Sequence, residues 1–141
     1  MDTRTVLVAT IMLAALTATF TATAATPKET ALLDGARALT AEEIAERYVG
    51  KTVTFRRGDK QFLVYYGADN TVAGELIGGG WSDTGYYGIT NANTICLSWA
   101  SSDEGRLGCY DVLDLDGVVH KFNPDGSLAG NVLIFQDGKT F

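Results

Sequence analysis

TICLSWASSDEGRLGCYDVL, residues 94–113, contains both cysteines of the chain and the turn between them. Thr94 to Ala100 and Arg106 to Leu113 are strand-like runs, joined by Ser101-Ser102-Asp103-Glu104-Gly105. The midpoint between Cys96 and Cys109 falls inside that turn, so a hairpin folded there sets the two cysteines opposite each other. The expectation is one antiparallel hairpin stapled by one disulfide. A bridge closing so short a loop contributes about 3 kcal/mol by restricting the unfolded chain. The competing reading, a redox or metal site, lacks support: there is no C-x-x-C, and the single histidine lies elsewhere.

Outward from the hairpin the same pattern repeats. Turn residues recur from Arg57-Gly58-Asp59 through Gly67-Ala68-Asp69-Asn70, Gly78-Gly79-Gly80 and Asn91-Ala92-Asn93. They continue as Asp116-Gly117, Pro124-Asp125-Gly126 and Asp137-Gly138. Between them lie runs rich in Val, Ile, Thr, Tyr and Phe, at 51–56, 60–66, 71–77, 82–90, 94–100, 106–114, 118–122 and 127–135. Short strands at even spacing are the mark of an all-β domain, and Asp-Gly is a preferred two-residue hairpin turn. The expected fold is mainly β: an antiparallel up-and-down meander of eight strands closing into a small barrel, which removes exposed edges. A two-sheet sandwich is the runner-up. The sixteen glycines suit either.

One helix precedes the strands. Thr40 stands three positions before Glu43 in Thr40-Ala41-Glu42-Glu43-Ile44-Ala45-Glu46-Arg47-Tyr48, which is a capping box, with Leu39 and Ile44 as its hydrophobic staple. Gly50 follows as a C-terminal stop. This predicts a helix over 41–48. Its glutamates are explained by capping and the helix dipole, so they are not read as a catalytic pair.

Residues 1–24 read as a secretory signal: an apolar run from Val6 to Leu16, then the A-x-A site Ala22-Thr23-Ala24, with cleavage before Ala25. The run is shorter than the roughly 20 apolar residues a membrane span needs, although Arg4 is its only basic flank. An uncleaved N-terminal anchor is the competing reading. No cysteine precedes position 96, which excludes a lipoprotein anchor. The expected organisation is a signal over 1–24, a flexible leader over 25–38 with a helical turn at Ala31–Leu33, and one barrel-like domain over 39–141. Periplasm or secretion follows as the expected location.

Charge narrows the partners. The chain carries a net charge of −6, unchanged by removal of Asp2 and Arg4 with the signal. It has no Lys/Arg cluster, which argues against nucleic acid and against anionic membrane surfaces. A basic protein partner fits this charge, and so does mere solubility.

Few motifs carry chemistry. Gly78-Gly79-Gly80 has no following Lys-Ser/Thr and no helix, so it is a turn and not a phosphate cradle. Asp111, Asp114 and Asp116 imitate a calcium loop, but from Asp114 the required glycine is Val119 and the third ligand position is Val118. His120 alternates with Val118 and Phe122 and is expected to share a strand face with them, more as a packed residue than as a ligand. No serine sits in a G-x-S-x-G elbow. Neither a metal nor a cofactor is expected, and no catalytic residue is assigned. The richest residue class is aromatic: Tyr65, Tyr66, Trp81, Tyr86, Tyr87, Trp99 and Tyr110. Most belong to the core, and a few at a barrel mouth make a small-ligand site. The expected lining is Trp81, Asp83, Tyr86, Tyr87, Trp99 and His120.

Leu39-Thr40-Ala41-Glu42-Glu43-Ile44, Gly50-Lys51-Thr52, Asp83-Thr84-Gly85, Cys96-Leu97-x-Trp99 and Cys109-Tyr110 occur in this order. Together they resemble a family of small exported alphaproteobacterial proteins catalogued as a domain of unknown function, over residues 38 to about 125. The resemblance implies a β-rich periplasmic or secreted protein with paired cysteines. It implies no activity. Three functions stay open: a non-enzymatic barrel binding a small molecule or envelope component, an inhibitor or adaptor of a basic protein similar in class to lysozyme inhibitors, and a small hydrolase using a carboxylate pair.

Overall fold

The structure is a computed structural model that describes residues 15–141; the apolar run on which the signal reading rests lies largely outside them. Helix α1 (Pro27–Leu33), strand β1 (Arg37–Ala38) and helix α2 (Ala41–Tyr48) come first. Eight strands follow: β2 (Lys51–Arg57), β3 (Lys60–Tyr66), β4 (Thr71–Leu76), β5 (Ser82–Ile89), β6 (Thr94–Trp99), β7 (Leu107–Leu115), β8 (Val118–Phe122) and β9 (Leu128–Asp137). Each strand from β2 to β9 is antiparallel to the next, and β9 pairs back onto β2, with Phe55 opposite Val132. The sheet therefore closes on itself as an up-and-down barrel, and the two-sheet sandwich does not form. The turn Asp116-Gly117 joins β7 to β8 with both residues at positive φ, the geometry two-residue hairpins prefer.

The cysteine hairpin forms as β6 and β7. Cys96 faces Cys109 in the register, and the two are bonded, with Cα atoms 4.0 Å apart. Their neighbours Ile95, Leu97 and Tyr110 belong to the interior cluster, so alternation places the bridge on the outer face of the barrel.

One end of the barrel is closed. α2 begins on the capping box expected of it, with the Thr40 hydroxyl accepting from the Glu43 amide and the Glu43 carboxylate accepting from the Thr40 amide. That helix drives Ile44 and Tyr48, both fully buried, into the barrel beneath Val53, Val72 and Ile95. The rings of Phe135, Tyr48, Tyr66 and Tyr87 meet edge to face in sequence, with centroids 5.3, 5.0 and 5.1 Å apart, an arrangement worth more than area burial alone.

Residues 25–38, expected as a flexible leader, hold α1 and β1. Thr26 caps α1 with a second capping box. Ala31 packs on Leu113 and Phe122, which face outward from β7 and β8. Lys28 pairs with Asp111 at 2.8 Å, its amide donates to the Gly126 carbonyl, and β1 pairs with β7 at Asp114 and Leu113. These contacts join residues distant in sequence, so local composition did not announce them.

Candidate functional site: a cavity at the open end of the barrel

The interior is filled at the α2 end and hollow at the other. A cavity of about 360 Å³ reaches solvent past the exposed residues Arg57, Lys60, Gly80 and Asp103. Arg57 and Lys60 flank the β2–β3 turn, and Gly80 and Asp103 belong to the turns that leave β4 and β6. Closure of eight strands leaves an interior that side chains can just fill or that can hold one small ligand. Here α2 fills one end with Ile44 and Tyr48, and the side chains at the other end leave the space open.

The wall is aromatic. Phe62, Trp81 and Trp99 stack edge to face with centroids 5.5 and 5.2 Å apart. They meet over Gly74 of β4, where an added Cβ would lie 2.9 Å from the Trp99 ring and 3.0 Å from the Trp81 ring. Only glycine leaves that approach open. Leu76, Val64 and Leu97 complete the apolar side.

Behind the wall a polar chain fixes the mouth. Trp81 Nε1 donates to Ser102 Oγ at 3.0 Å, and Ser102 Oγ donates to the Asp83 carboxylate at 2.8 Å. The same carboxylate accepts from the amides of Thr84, Ser101 and Ser102. Burial pushes the Asp83 carboxyl up, but these hydrogen bonds outweigh it and hold its pKa below the usual range. Asp83 thus works one layer behind the cavity, as a fastener of the 100–106 loop. That loop carries Asp103, Glu104 and Gly105 at φ 52°, 57° and 70°, a left-handed run that costs energy at its two non-glycine residues.

The floor is made by Lys121 of β8. It is 4% exposed and donates to the Tyr66 hydroxyl at 3.1 Å. Four rings surround its ammonium, with centroids 5.0 Å (Tyr110), 5.2 Å (Phe55), 5.6 Å (Tyr66) and 5.7 Å (Tyr48) away, which is cation–π range. Burial, with a smaller push from Arg57, brings its pKa down to about 7. Burial also raises the Tyr66 hydroxyl well above its ordinary value, so it stays a neutral donor and acceptor. Deeper still, the buried Tyr48 hydroxyl has no hydrogen-bond partner among the described residues.

Of the residues the sequence put forward, Trp81 and Trp99 line the cavity and Asp83 supports it. Tyr87 points inward but below the floor, where its hydroxyl donates to the Gly67 carbonyl at 2.8 Å. Tyr86 is 70% exposed on the outer face. His120 shares the outer face with Phe122, as alternation required, and burial lowers its pKa against the opposing pull of Asp114. Tyr86, Tyr87 and His120 are therefore not brought to the cavity. Lys121 was missed, although it lies one residue from His120; alternation alone offered both faces of β8 and did not say which was inside. Among the described residues no group of three or more His, Cys, Asp or Glu side chains can hold a metal ion. The three aspartates resembling a calcium loop are spent elsewhere: Asp111 on Lys28, Asp114 on Arg47, Asp116 in its turn. Asp103 is the one carboxylate-bearing residue on the cavity lining. Comparison of the chain with protein-family models, curated proteins and solved structures found no match, so the site stands on its own geometry.

Proposed function

We propose that this chain is a non-enzymatic binding protein, acting in the periplasm or after secretion, that holds one small and largely apolar molecule inside its barrel. The observation that carries the reading is the unfilled half of the interior: a 360 Å³ space with an aromatic wall and, at its base, the buried Lys121–Tyr66 pair. Its size lies near the lower end of the roughly 300–1,000 Å³ typical of small-molecule sites, and apolar walls with few polar groups are their usual construction. A barrel packed to both ends would favour its outer surface instead, and with it the inhibitor or adaptor reading. The disulfide fits an oxidising compartment, in line with the export signal read in residues 1–24.

The test is native mass spectrometry of the protein recovered from its own host, followed by thermal-shift screening against a library of small apolar metabolites. A bound mass that fits the cavity, or a ligand that raises Tm, is the expected result. Bare protein with no shift across the library would overturn the proposal.

A further inference from the structure

We infer that the ligand is a compact apolar molecule bearing one negatively charged group, and that Lys121 is the residue that selects it. This rests on the binding reading above and adds the chemical class of the ligand.

The first argument is charge placement. The whole chain is acidic, at −6, yet the cavity lining carries three cationic residues, Arg57, Lys60 and Lys121, against the single carboxylate of Asp103. Positive lining in a negative protein is opposite to what the composition alone would give, and apolar walls focus its field on whatever enters.

The second argument is incomplete pairing. An ammonium has three donors, and Lys121 uses one, on Tyr66. The titratable and charged groups facing it are Tyr48 from α2, Arg57 from β2, Tyr66 from β3 and Tyr110 from β7. No carboxylate is among them. A buried cation without a counter-ion is costly, and Met or Leu would fill the same volume without that cost. An anion arriving from the mouth supplies the missing partner and makes charge-assisted hydrogen bonds with the free donors. Its body then lies against Phe62, Trp81 and Trp99. The cation–π contacts hold the ammonium in place meanwhile but cannot accept hydrogen bonds of comparable strength.

Two probes of one shape separate charge from fit: 2-naphthoate and its neutral amide, 2-naphthamide, titrated calorimetrically at pH 7. The wild-type protein is expected to bind naphthoate at least about tenfold more tightly than naphthamide. In Lys121→Met the ratio of the two affinities is expected to fall to about one. Equal affinity for both probes in the wild type would overturn the anion inference while leaving the binding reading intact, and needs no variant. A Lys121→Met protein that still prefers naphthoate would overturn the role of Lys121 and move it to Arg57 or Lys60. Failure of both probes to bind would overturn the inference and count against the binding reading with it.

Discussion

At the closed end of the barrel, Phe135, Tyr48, Tyr66 and Tyr87 meet edge to face; at the open end, Phe62, Trp81 and Trp99 make the same kind of contact at nearly the same spacing. The first set is packed around Tyr48 of α2, which adds Ile44 beside it and leaves no room. The second set stands around a space bounded by turns and a glycine-backed wall. The same kind of aromatic contact therefore gives a plug in one place and a pocket in the other. What separates them is the cover. The filled half supplies the stability that lets the hollow half exist, since native domains have only about 5–15 kcal/mol in hand.

The sharpest way to break this comparison is to truncate one ring from each set. Tyr48→Ala should cost about 3–5 kcal/mol in urea unfolding, the usual price of emptying a fully packed aromatic site. Trp81→Ala, at a partly buried ring beside an existing space, should cost under about 2 kcal/mol. Equal losses would mean that the two ends are energetically alike.

A smaller effect, of opposite sign, is expected at the junction of the two halves. Lys121→Met should stabilise the protein by about 1–4 kcal/mol at pH 6, because an unpaired buried cation is replaced by an apolar chain of similar size. The sign of the pH dependence follows from the lowered pKa. Between about 7 and the ordinary value of 10.5, the unfolded chain binds the proton and the folded chain does not. Wild-type stability should therefore gain relative to the variant as pH rises through that window, and the advantage of Met should shrink. Parallel stability curves for the two proteins would place the ammonium in contact with water.

The smallest effect belongs to the mouth. Asp83→Asn weakens the hold on the amides of Ser101 and Ser102. Hydrogen exchange in residues 100–106 should speed up while global stability changes by less than about 1 kcal/mol. Unchanged exchange would mean that the loop is held by its other contacts, such as Ser98 Oγ to the Gly105 carbonyl.

Much of the fold was written locally. Eight strand runs separated by turn residues gave the meander, the Thr40–Glu43 box gave α2, and the placement of the turn between Cys96 and Cys109 gave their pairing. The barrel mouth was half legible. Trp81 and Trp99 could be named because aromatic residues are the usual wall of a barrel mouth, but Tyr86-Tyr87 is a pair whose members face opposite ways, and neither reaches the cavity. His120-Lys121 is the same problem in β8: one step of register exchanges the inside for the outside. A lysine is expected outside by its chemistry, and here it is His120 that lies outside and Lys121 inside. Nor could residue types show the hollow itself. It depends on Gly74, on where α2 docks and on which end it leaves uncovered, all of which are set by contacts far apart in the chain. The docking of residues 27–38 has the same origin, in Lys28 with Asp111 and Ala31 with Leu113, although the start of α1 carries a local signal of its own, the Thr26–Glu29 capping box.

The most direct test of a ligand site inside the open half uses the only two tryptophans of the chain. In a ¹⁵N-labelled sample their indole N–H groups give two isolated signals, both from residues lining the cavity. Titration with neutral 2-naphthamide should move both indole signals together with the backbone amide of Phe62, while Tyr86 on the outer face and Asp116 at the far turn stay still. Motionless indoles, or shifts gathered on the outer face, would contradict the account.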